Sequence, residues 1–384
     1  PHTYPTPHPM AATAKSAGVP LSSDIALLLA VERTARFVGI TGTNGKSTTT
    51  ALIGHILQQA GKSIAVGGNL GTPVLTFPSL GTDGIYVLEL SSYQLELMPE
   101  NRLDIGILLN ITPDHLDRHG GMAGYCAAKA RIARHDGVQT FICGVDDAPS
   151  AALAATAKQL PHITLHTMTA QDNPACALFI RAGQLYVDNA PVLRFSDFPR
   201  LPGCHNAQNI AAAYAACQAL GLDAATIRDG IASFPGLAHR QQWLGSRGNV
   251  QFINDSKATN ADAAAKALAC YDPIYWIAGG LPKEGGLNGL ESFMPRIRHA
   301  FLIGQAAEDF GDWLKDKTPV TQCGTLEVAV QAAAKLAHAE NRPNATVLLS
   351  PACASWDQFK SFEDRGDQFN AMVKQLHAAN GAGS

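Results

Sequence analysis

The sequence lacks several features that would assign a protein to a class at once. It contains no run of about 18 apolar residues, so no membrane-spanning helix is predicted. Its first residues do not follow the charged and then apolar pattern of an export signal. Its 8 cysteines are scattered without a CxxC pair, which disfavours a disulfide framework and a zinc finger. We therefore expect a cytoplasmic protein with no membrane partner.

An excess of charge of one sign is also missing. The chain has 29 Lys and Arg against 32 Asp and Glu, a net charge of -3. It is not basic enough to hold nucleic acid, so no nucleic-acid partner is predicted. What it does have is 384 residues, of which 46% are hydrophobic, with 35 glycines. This composition is typical of a globular α/β protein with more than one domain, and we expect a monomer.

The order of the predicted elements gives the fold class. From Arg36 onward, short β-rich runs alternate with Ala-rich helical stretches, which predicts an α/β fold with a P-loop-type, mostly parallel sheet. A turn-rich section over 177–195 predicts a small antiparallel appendage. A second series of alternating elements from 250 predicts a C-terminal Rossmann-like, doubly wound domain. With Pro235 and Gly236 as a linker, the predicted domains are 1–34, 35–236 and 237–384.

Individual elements are predicted from the same runs. In the first part, strands are expected at 37–41, 64–66, 85–90, 105–111 and 140–143, with helices at 46–59 and 121–133. The appendage is expected at 177–180, 184–187 and 192–195, followed by a helix over about 206–220. In the second part, strands are expected at 250–253, 274–278, 299–303, 320–321 and 346–349.

A glycine-rich turn, TGTNGKSTTT over 41–50, joins the first predicted strand to the following helix. Backbone N–H groups at such a turn can surround phosphate oxygens, and the helix dipole assists them. Lys46 would reach the terminal phosphates and Ser47 would bind Mg²⁺. The general pattern GxxxxGK[ST] is not met, because Ile40 stands where it needs glycine, so a chance turn is the alternative. The flanking strand and helix favour a nucleoside triphosphate site made by Gly42, Thr43, Asn44, Gly45, Lys46, Ser47 and Thr48.

Polar side chains follow the next two strand signals. Glu89 and Ser91 end the run VLELSS, and Asp114, His115 and Asp117 follow the run DIGILLNIT. Because α/β sheets bind ligands at the carboxyl ends of their strands, these groups are expected near the phosphate loop. Carboxylate and imidazole groups there would suit Mg²⁺. Each group taken alone could equally be solvated or hydrogen-bonded.

The variant GITGTNGKST resembles the phosphate loop of the Mur ligase family and of its folylpolyglutamate synthetase relatives. The resemblance extends from about Ile25 to the last helix through several motifs in the same order. It implies an enzyme that uses ATP and Mg²⁺ to join a carboxylate to an amine through an acyl phosphate. It also implies that 1–34 is the remnant of a first domain, most of which is absent.

The family resemblance assigns roles in the first half of the chain. It implies that Mg²⁺ is bound by Glu89, His115, Ser47 and a carbamylated Lys129, which ends the pattern Y-x-x-A-K. By sequence alone Lys129 is an ordinary exposed helix lysine. The resemblance further implies that Asn69, in the turn GGNLG, and Ser91 contact the nucleotide-sugar substrate.

In the second half, the resemblance assigns ATP contacts to Asn209, Arg240 and Asp255 and a catalytic role to Lys257, alongside Lys46, Lys129 and His115. A capping Asn, a surface Arg and a surface Lys are the alternatives. The amino-acid substrate would be held by Thr259, Lys283, Ser355 and Phe362. Without the resemblance, Phe362 would be assigned to core packing.

The last motif, SPACASWDQFKSFEDRG over 350–366, resembles that of the D-glutamate-adding members of the family. This implies UDP-N-acetylmuramoyl-L-alanine and D-glutamate as substrates, in peptidoglycan precursor synthesis. The two αβ domains would close around these ligands. Alternatives are another Mur-type ligase, a folylpolyglutamate synthetase, or a nucleotide-dependent switch without ligase chemistry.

Overall fold

The computed structural model describes residues 9–133 and 137–378, without the side chains of Lys15, Cys204 and His205. The chain divides into two compact units between Phe234 and Pro235, two residues before the predicted division. The predicted segment 1–34, whose residues 1–8 lie outside the described part, falls in the first unit. Among the described helices, none combines the length and the apolar character that a bilayer crossing requires.

A large sheet forms the centre of the first unit. Its strands are β1 Arg36–Thr41, β2 Ile64–Gly68, β3 Ile85–Glu89, β4 Ile105–Leu108, β5 Gln139–Gly144, β6 Ile163–Met168, β7 Leu178–Arg181, β8 Gln184–Val187 and β9 Ala190–Arg194. Across the described residues their order is β2-β3-β1-β4-β5-β6-β7-β8-β9. All neighbours pair in parallel except β7 with β8 and β8 with β9. The predicted fold class and the antiparallel appendage are confirmed.

Helices cover both faces of this sheet. They are α1 Pro9–Ser16, α2 Asp24–Val31, α3 Lys46–Gln59, α4 Ser92–Glu96, α5 Leu116–His119, α6 Met122–Ala130, α7 Ala148–Ala157, α8 Cys204–Ala219 and α9 Ala224–Ser233. Helices α3, α8 and α9 pack on one face and α2, α6 and α7 on the other. In α3 the apolar side chains Leu52, Ile53, Ile56 and Leu57 recur at helical spacing and are fully buried, which fixes this helix against the sheet.

Two predicted bounds in this unit were wrong. The strand expected over 105–111 ends at Leu108, because the next residues bond to the phosphate loop instead: Asn110 O accepts from Thr43 N. The helix expected over 121–133 ends at Ala130. Strand β6 was not predicted, since its side chains are only partly buried and lack a clear apolar run.

The second unit contains a sheet of six strands within the described residues. These are β10 Gln242–Arg247, β11 Val250–Asn254, β12 Ile274–Gly279, β13 Ile297–Ile303, β14 Val320–Gly324 and β15 Ala345–Leu349. Their order is β10-β11-β15-β12-β13-β14, and only β10, an edge strand that was not predicted, runs antiparallel to its neighbour. Helices α10 Ala261–Leu268 and α11 Ala307–Leu314 lie on one face, and α12 Leu326–Glu340 and α13 Phe362–Ala378 on the other. This is the predicted doubly wound arrangement.

Candidate functional site

The phosphate loop, residues 42–47, leads from β1 into α3. Gly45 is left-handed, with φ +87°, and a Cβ at this position would overlap Oδ1 of Asn209. Only glycine adopts this backbone conformation readily and also leaves room for the Asn209 side chain. This position of the turn therefore requires glycine. Lys46 is the first residue of α3, and Ser47 and Thr48 follow it in the first helical turn. The loop therefore presents a lysine and a helix N-terminus together, the arrangement that binds phosphate.

Two lysines converge on the carbonyl group of Gly42. Nζ of Lys46 donates to Gly42 O at 2.8 Å and to Thr43 O at 3.0 Å. Nζ of Lys129 donates to the same Gly42 O at 2.9 Å and approaches Thr41 Oγ1 at 3.3 Å. Two like charges that share one acceptor repel each other. This position therefore favours the binding of an anion or the loss of a proton from one of the two lysines.

Lys129 is 1% exposed, which corrects the sequence-based alternative of an ordinary exposed lysine. It lies on the buried stripe of α6 with Tyr125 and Ala128, and its ammonium sits 4.8 Å from the Tyr125 ring centre. Burial, and next the charge of Lys46, lower the pKa of Lys129 to about 7. Much of this side chain is therefore a neutral amine near neutral pH.

Glu89, the last residue of β3, carries the buried carboxylate of the site. It is 3% exposed, and its Oε1 accepts from Nδ2 of Asn69 at 2.9 Å. Its Oε2 is buried without a hydrogen-bond partner among the described residues. An unpaired buried carboxylate oxygen is unfavourable, and a cation would satisfy it. Asn69, whose predicted contact with substrate stays a prediction, orients this carboxylate.

His115 follows β4 and lies on the other side of β1 from Glu89 in the strand order. Its backbone is left-handed, with φ +51°, and its side chain is 50% exposed. Nε2 lies 3.5 Å from Oδ2 of Asp114, and the ring is tilted against Tyr93 at 5.3 Å. The described residues contain no group of three or more His, Cys, Asp or Glu side chains placed to hold a metal. A metal site here would thus combine a carboxylate with other donors.

Asn209 on α8 packs against the phosphate loop. It is 3% exposed, accepts from Thr49 Oγ1 at 3.2 Å and donates to Asn206 Oδ1 at 3.1 Å. Sequence reasoning missed Asn110, whose side chain accepts from Asn44 N at 2.9 Å. Its position after β4, at the ligand-binding edge, was the available signal.

Ser91, predicted to contact substrate, caps a helix. Its Oγ accepts from Gln94 N at 3.2 Å, and Gln94 Oε1 accepts from the backbone N–H of Ser91 at 3.0 Å. This reciprocal pair is the capping box that begins α4. The hydroxyl group thus has a structural role here, and its contact with substrate stays a prediction.

In the second unit, Asp255 lies at the carboxyl end of β11, beside the end of β15. It is 7% exposed and accepts from Ser350 Oγ at 2.8 Å and from Gln241 N at 3.1 Å. Burial raises the pKa of Asp255 to about 7, although these two hydrogen bonds and the charge of Arg240 oppose the rise. Arg240, predicted to contact ATP, is exposed close to this carboxyl group.

The predicted amino-acid residues are only partly brought together. Nζ of Lys257 lies 4.7 Å from the ring centre of Phe362, the first residue of α13. Thr259, two residues beyond Lys257, is partly buried, and Ser355 is 2% exposed in the loop after β15. Lys283 is exposed and lines a cavity of about 550 Å³ with Asn260, Asp262, Glu284, Gly286, Asn288 and Ala352.

Sequence reasoning also missed Arg365, which is 0% exposed. Its guanidinium group donates to Ser256 O at 2.8 Å, Ser256 Oγ at 3.0 Å and Cys353 O at 3.1 Å. Burial lowers the pKa of Arg365 to about 10, so it remains charged at neutral pH. It ties the loop after β11 to the loop after β15, both of which carry predicted site residues.

Taken together, a parallel sheet, a glycine turn with Lys46 and a buried carboxylate at the same edge define an α/β protein that binds nucleoside triphosphates. The comparisons with known proteins narrow this class. A sequence family described as the Mur ligase middle domain matches residues 40–217. The UDP-N-acetylmuramoylalanine--D-glutamate ligase of Rhodospirillum rubrum is 54% identical over 383 residues, 98% of this chain and 80% of that protein.

The enzyme of the same name from Paramagnetospirillum magneticum is 49% identical, over 100% of this chain and 84% of that protein. A structure described as the MurF ligase of Thermotoga maritima in complex with ADP has a TM-score of 0.60 at 16% identity, covering 91% of this chain and 83% of that one, which shows a shared fold. The chain belongs to the Mur ligase family, whose members are ATP-dependent ligases that form amide bonds. These alignments cover 80% and 84% of the two relatives, and the prediction that most of a first domain is absent stays a prediction.

Proposed function

We propose that the chain joins D-glutamate to UDP-N-acetylmuramoyl-L-alanine and converts ATP to ADP and phosphate, as a step in peptidoglycan precursor synthesis. The observation that carries the proposal is the 54% identity, over 98% of the chain, to an enzyme named for this reaction. A second enzyme of the same name is 49% identical over 100% of the chain. Both alignments include the C-terminal motif from which the amino-acid substrate was predicted.

The first step is transfer of a phosphoryl group to the substrate carboxylate. A carboxylate oxygen attacks the γ-phosphorus atom of ATP, the bond to ADP breaks, and an acyl phosphate forms. The proposed role of Lys46 is to exchange its bonds to Gly42 O and Thr43 O for the terminal phosphate oxygens. In such reactions catalysis comes chiefly from positioning and from stabilising the developing negative charge.

The residues of the first unit fit a bound Mg²⁺. Oε2 of Glu89 is buried without a partner, and Ser47 Oγ is a hard oxygen donor at the start of α3. We assign Glu89, Ser47, His115 and Lys129 to this ion, which when bound neutralises charge on the phosphates. A neutral Lys129 amine is the form that combines with CO₂, so its pKa of about 7 supports the proposed carbamate.

The second step forms the amide. The amine nitrogen of D-glutamate attacks the activated carbonyl carbon, the C–N bond forms, phosphate leaves, and the nitrogen loses a proton. We assign binding of the amino acid to Lys283, Thr259, Ser355 and Phe362 and a catalytic role to Lys257. The exposed ammonium of Lys283 beside a cavity of about 550 Å³ supports carboxylate binding there.

The proposal is tested by measuring phosphate release with ATP, Mg²⁺ and UDP-N-acetylmuramoyl-L-alanine while the amino acid is varied. We expect turnover with D-glutamate and a product heavier by one glutamyl residue in mass spectrometry. L-glutamate, L-lysine and meso-diaminopimelate should give no more than background. Preference for one of these would identify another ligase of the family, and phosphate release indifferent to both substrates would identify a nucleotide-dependent switch.

A further inference from the structure

His239 holds a constrained position just after the boundary between the units. It is 7% exposed, and its backbone is left-handed, with φ +61°. Its ring packs against α13 so closely that a Cβ on Gly366 would overlap Nδ1. A left-handed backbone is unfavourable for histidine unless the surrounding residues hold it, so the neighbours of this ring must fix its position.

Both ring nitrogens of His239 have polar neighbours. Nδ1 lies 3.1 Å from Nδ2 of Asn254. Nε2 faces Oδ1 of Asp367 at 3.5 Å. These two contacts fix the direction of the ring.

Asn254, at the end of β11, connects this ring to the rest of the unit. It is 0% exposed, and the two hydrogens of its Nδ2 are donated in the two shortest contacts of this nitrogen, to Asn370 Oδ1 at 2.8 Å and to Gly366 O at 2.9 Å. Its Oδ1 accepts from Ser256 N at 3.0 Å. The Asn254 side chain therefore joins the start of the loop after β11 to α13, with the His239 ring between them.

Two proposed site residues depend on this arrangement. The backbone carbonyl of His239 accepts from Lys257 N at 3.0 Å. The ring meets Phe362 edge-on, with centres 6.3 Å apart and planes at 78°. Since the ammonium of Lys257 lies 4.7 Å from the same Phe362 ring, His239 touches both members of that pair.

We infer that His239 is a positioning residue: its ring, which contacts Asn254 and Phe362, and its backbone carbonyl, which accepts from Lys257 N, hold Phe362 and Lys257 in register for the amino-acid substrate. The inference rests on the proposed function, which assigns these two residues to the amine-accepting step. His239 acts through them and does not touch the reacting atoms. Its loss should therefore weaken binding of the amino acid while nucleotide binding is kept.

Two substitutions separate the roles of the ring. His239→Phe keeps the aromatic bulk but removes the ring nitrogens that face Asn254 and Asp367. His239→Asn places an amide oxygen near the position of Nδ1, and Asn tolerates left-handed backbone better than most residues. For His239→Phe we expect a rise of about 30-fold in the KM for D-glutamate with the KM for ATP within about threefold of the parent. His239→Asn should recover most of this loss.

A second route displaces the ring without changing it. In Gly366→Ala the new methyl group would push the imidazole away from Asn254. Alanine favours a helix more than glycine does, so a higher KM for D-glutamate in this variant could not come from a weaker α13. The matched control is His299→Phe, which removes another imidazole hydrogen bond of this unit, 2.8 Å to Thr321 Oγ1. It should leave both KM values unchanged.

The measurements are steady-state KM and kcat for both substrates, with the thermal unfolding midpoint of each variant. The inference is overturned if His239→Phe changes both KM values and the unfolding midpoint together, or if His239→Asn is no better than His239→Phe. If the parent prefers a different amino acid, the proposed function fails. The same comparison made with that amino acid still tests His239.

Discussion

The two units organise their candidate residues in opposite ways. In the first unit the groups are buried charges: Lys129 is 1% exposed, and Glu89 is 3% exposed with one oxygen unpaired in the described structure. In the second unit Asn254 and Ser256 are neutral, 0% exposed and hydrogen-bonded, and the buried charge beside them, Arg365, is itself hydrogen-bonded to Ser256. There the proposed ligand-binding cation, Lys283, is exposed beside a cavity.

This difference separates two ways of preparing a site. Buried charges without full partners destabilise the free protein, and a ligand of opposite charge removes that penalty when it binds. A neutral hydrogen-bonded network stabilises the loops and fixes the directions of the groups attached to them. The first unit is thus prepared for its ligands by buried charge, and the second by fixed side-chain directions. Substitutions in each unit test this difference.

The largest expected effect is that of Lys46→Ala in the first unit. Because the ammonium would otherwise pair with the terminal phosphates, we expect phosphate release to fall by about 10⁴-fold. Turnover and ATP affinity by calorimetry are the measurements, and Lys62→Ala, at an exposed position of the same unit, is the control. Parental affinity and turnover in Lys46→Ala would refute a triphosphate at this loop.

The next effect tests the unpaired oxygen of Glu89. Glu89→Gln keeps the shape and the acceptor for Asn69 but removes the charge, so we expect turnover to fall by about 10³-fold. The half-saturating Mg²⁺ concentration should rise, as measured by titration of activity. Glu100→Gln, at an exposed position, is the control and should match the parent. An unchanged Mg²⁺ requirement would remove Glu89 from the metal site.

The third prediction concerns the pH dependence of stability in the first unit. The folded pKa of Lys129 is lowered from 10.5 to about 7, so between these values the unfolded chain binds the extra proton and stability rises with pH. Lys129→Met buries no titrating amine, so we expect it to be more stable than the parent near pH 7. This difference in the free energy of unfolding should shrink by about 2 to 3 kcal/mol from about pH 7 to about pH 9. Urea unfolding at each pH measures it. A constant difference would show that the parent buries no titrating amine.

Asp255 in the second unit should give the opposite dependence. Its folded pKa is raised from 3.8 to about 7, so between these values the folded chain binds the extra proton and stability falls as pH rises. Asp255→Asn should remove about 2 kcal/mol of that fall between about pH 5 and about pH 7. Urea unfolding over this range measures it, with Asp272→Asn, at an exposed position of the same unit, as the control. If the free energy of unfolding changed equally with pH in the parent and in Asp255→Asn, the raised pKa of Asp255 would be contradicted.

The smallest effect separates a cap from a substrate contact. Ser91→Ala removes the N-cap of α4 and should lower the free energy of unfolding by about 1 kcal/mol. The KM for the nucleotide-sugar substrate should stay within about twofold of the parent. A large rise in this KM without a loss of stability would restore Ser91 to the substrate site.

Local sequence patterns predicted the phosphate loop and its flanking elements. A glycine turn between a buried strand and an amphipathic helix is specified by neighbouring residues, and the predicted helix 46–59 coincides with α3. The burial of Lys129 also had a local signal, because Tyr125, Ala128 and Lys129 follow the helical spacing of one face. The alternative of an exposed lysine overlooked that spacing.

The residues that prediction missed depend on partners far along the chain. Asn254 bonds to Asn370, and Arg365 bonds to Ser256. Nothing in the local sequence distinguishes such a residue from a surface amide or guanidinium group. Its role exists only once parallel strands place distant loops at one edge of the sheet.

The sequence by itself thus determined the order of strands and helices, the phosphate loop and the family, because these depend on spacing between near neighbours. The tertiary structure alone decided which polar groups are buried, which oxygen of Glu89 lacks a partner among the described residues, and which side chains the His239 ring contacts. Burial and hydrogen bonding are properties of the surroundings, and those surroundings are assembled from segments distant in sequence.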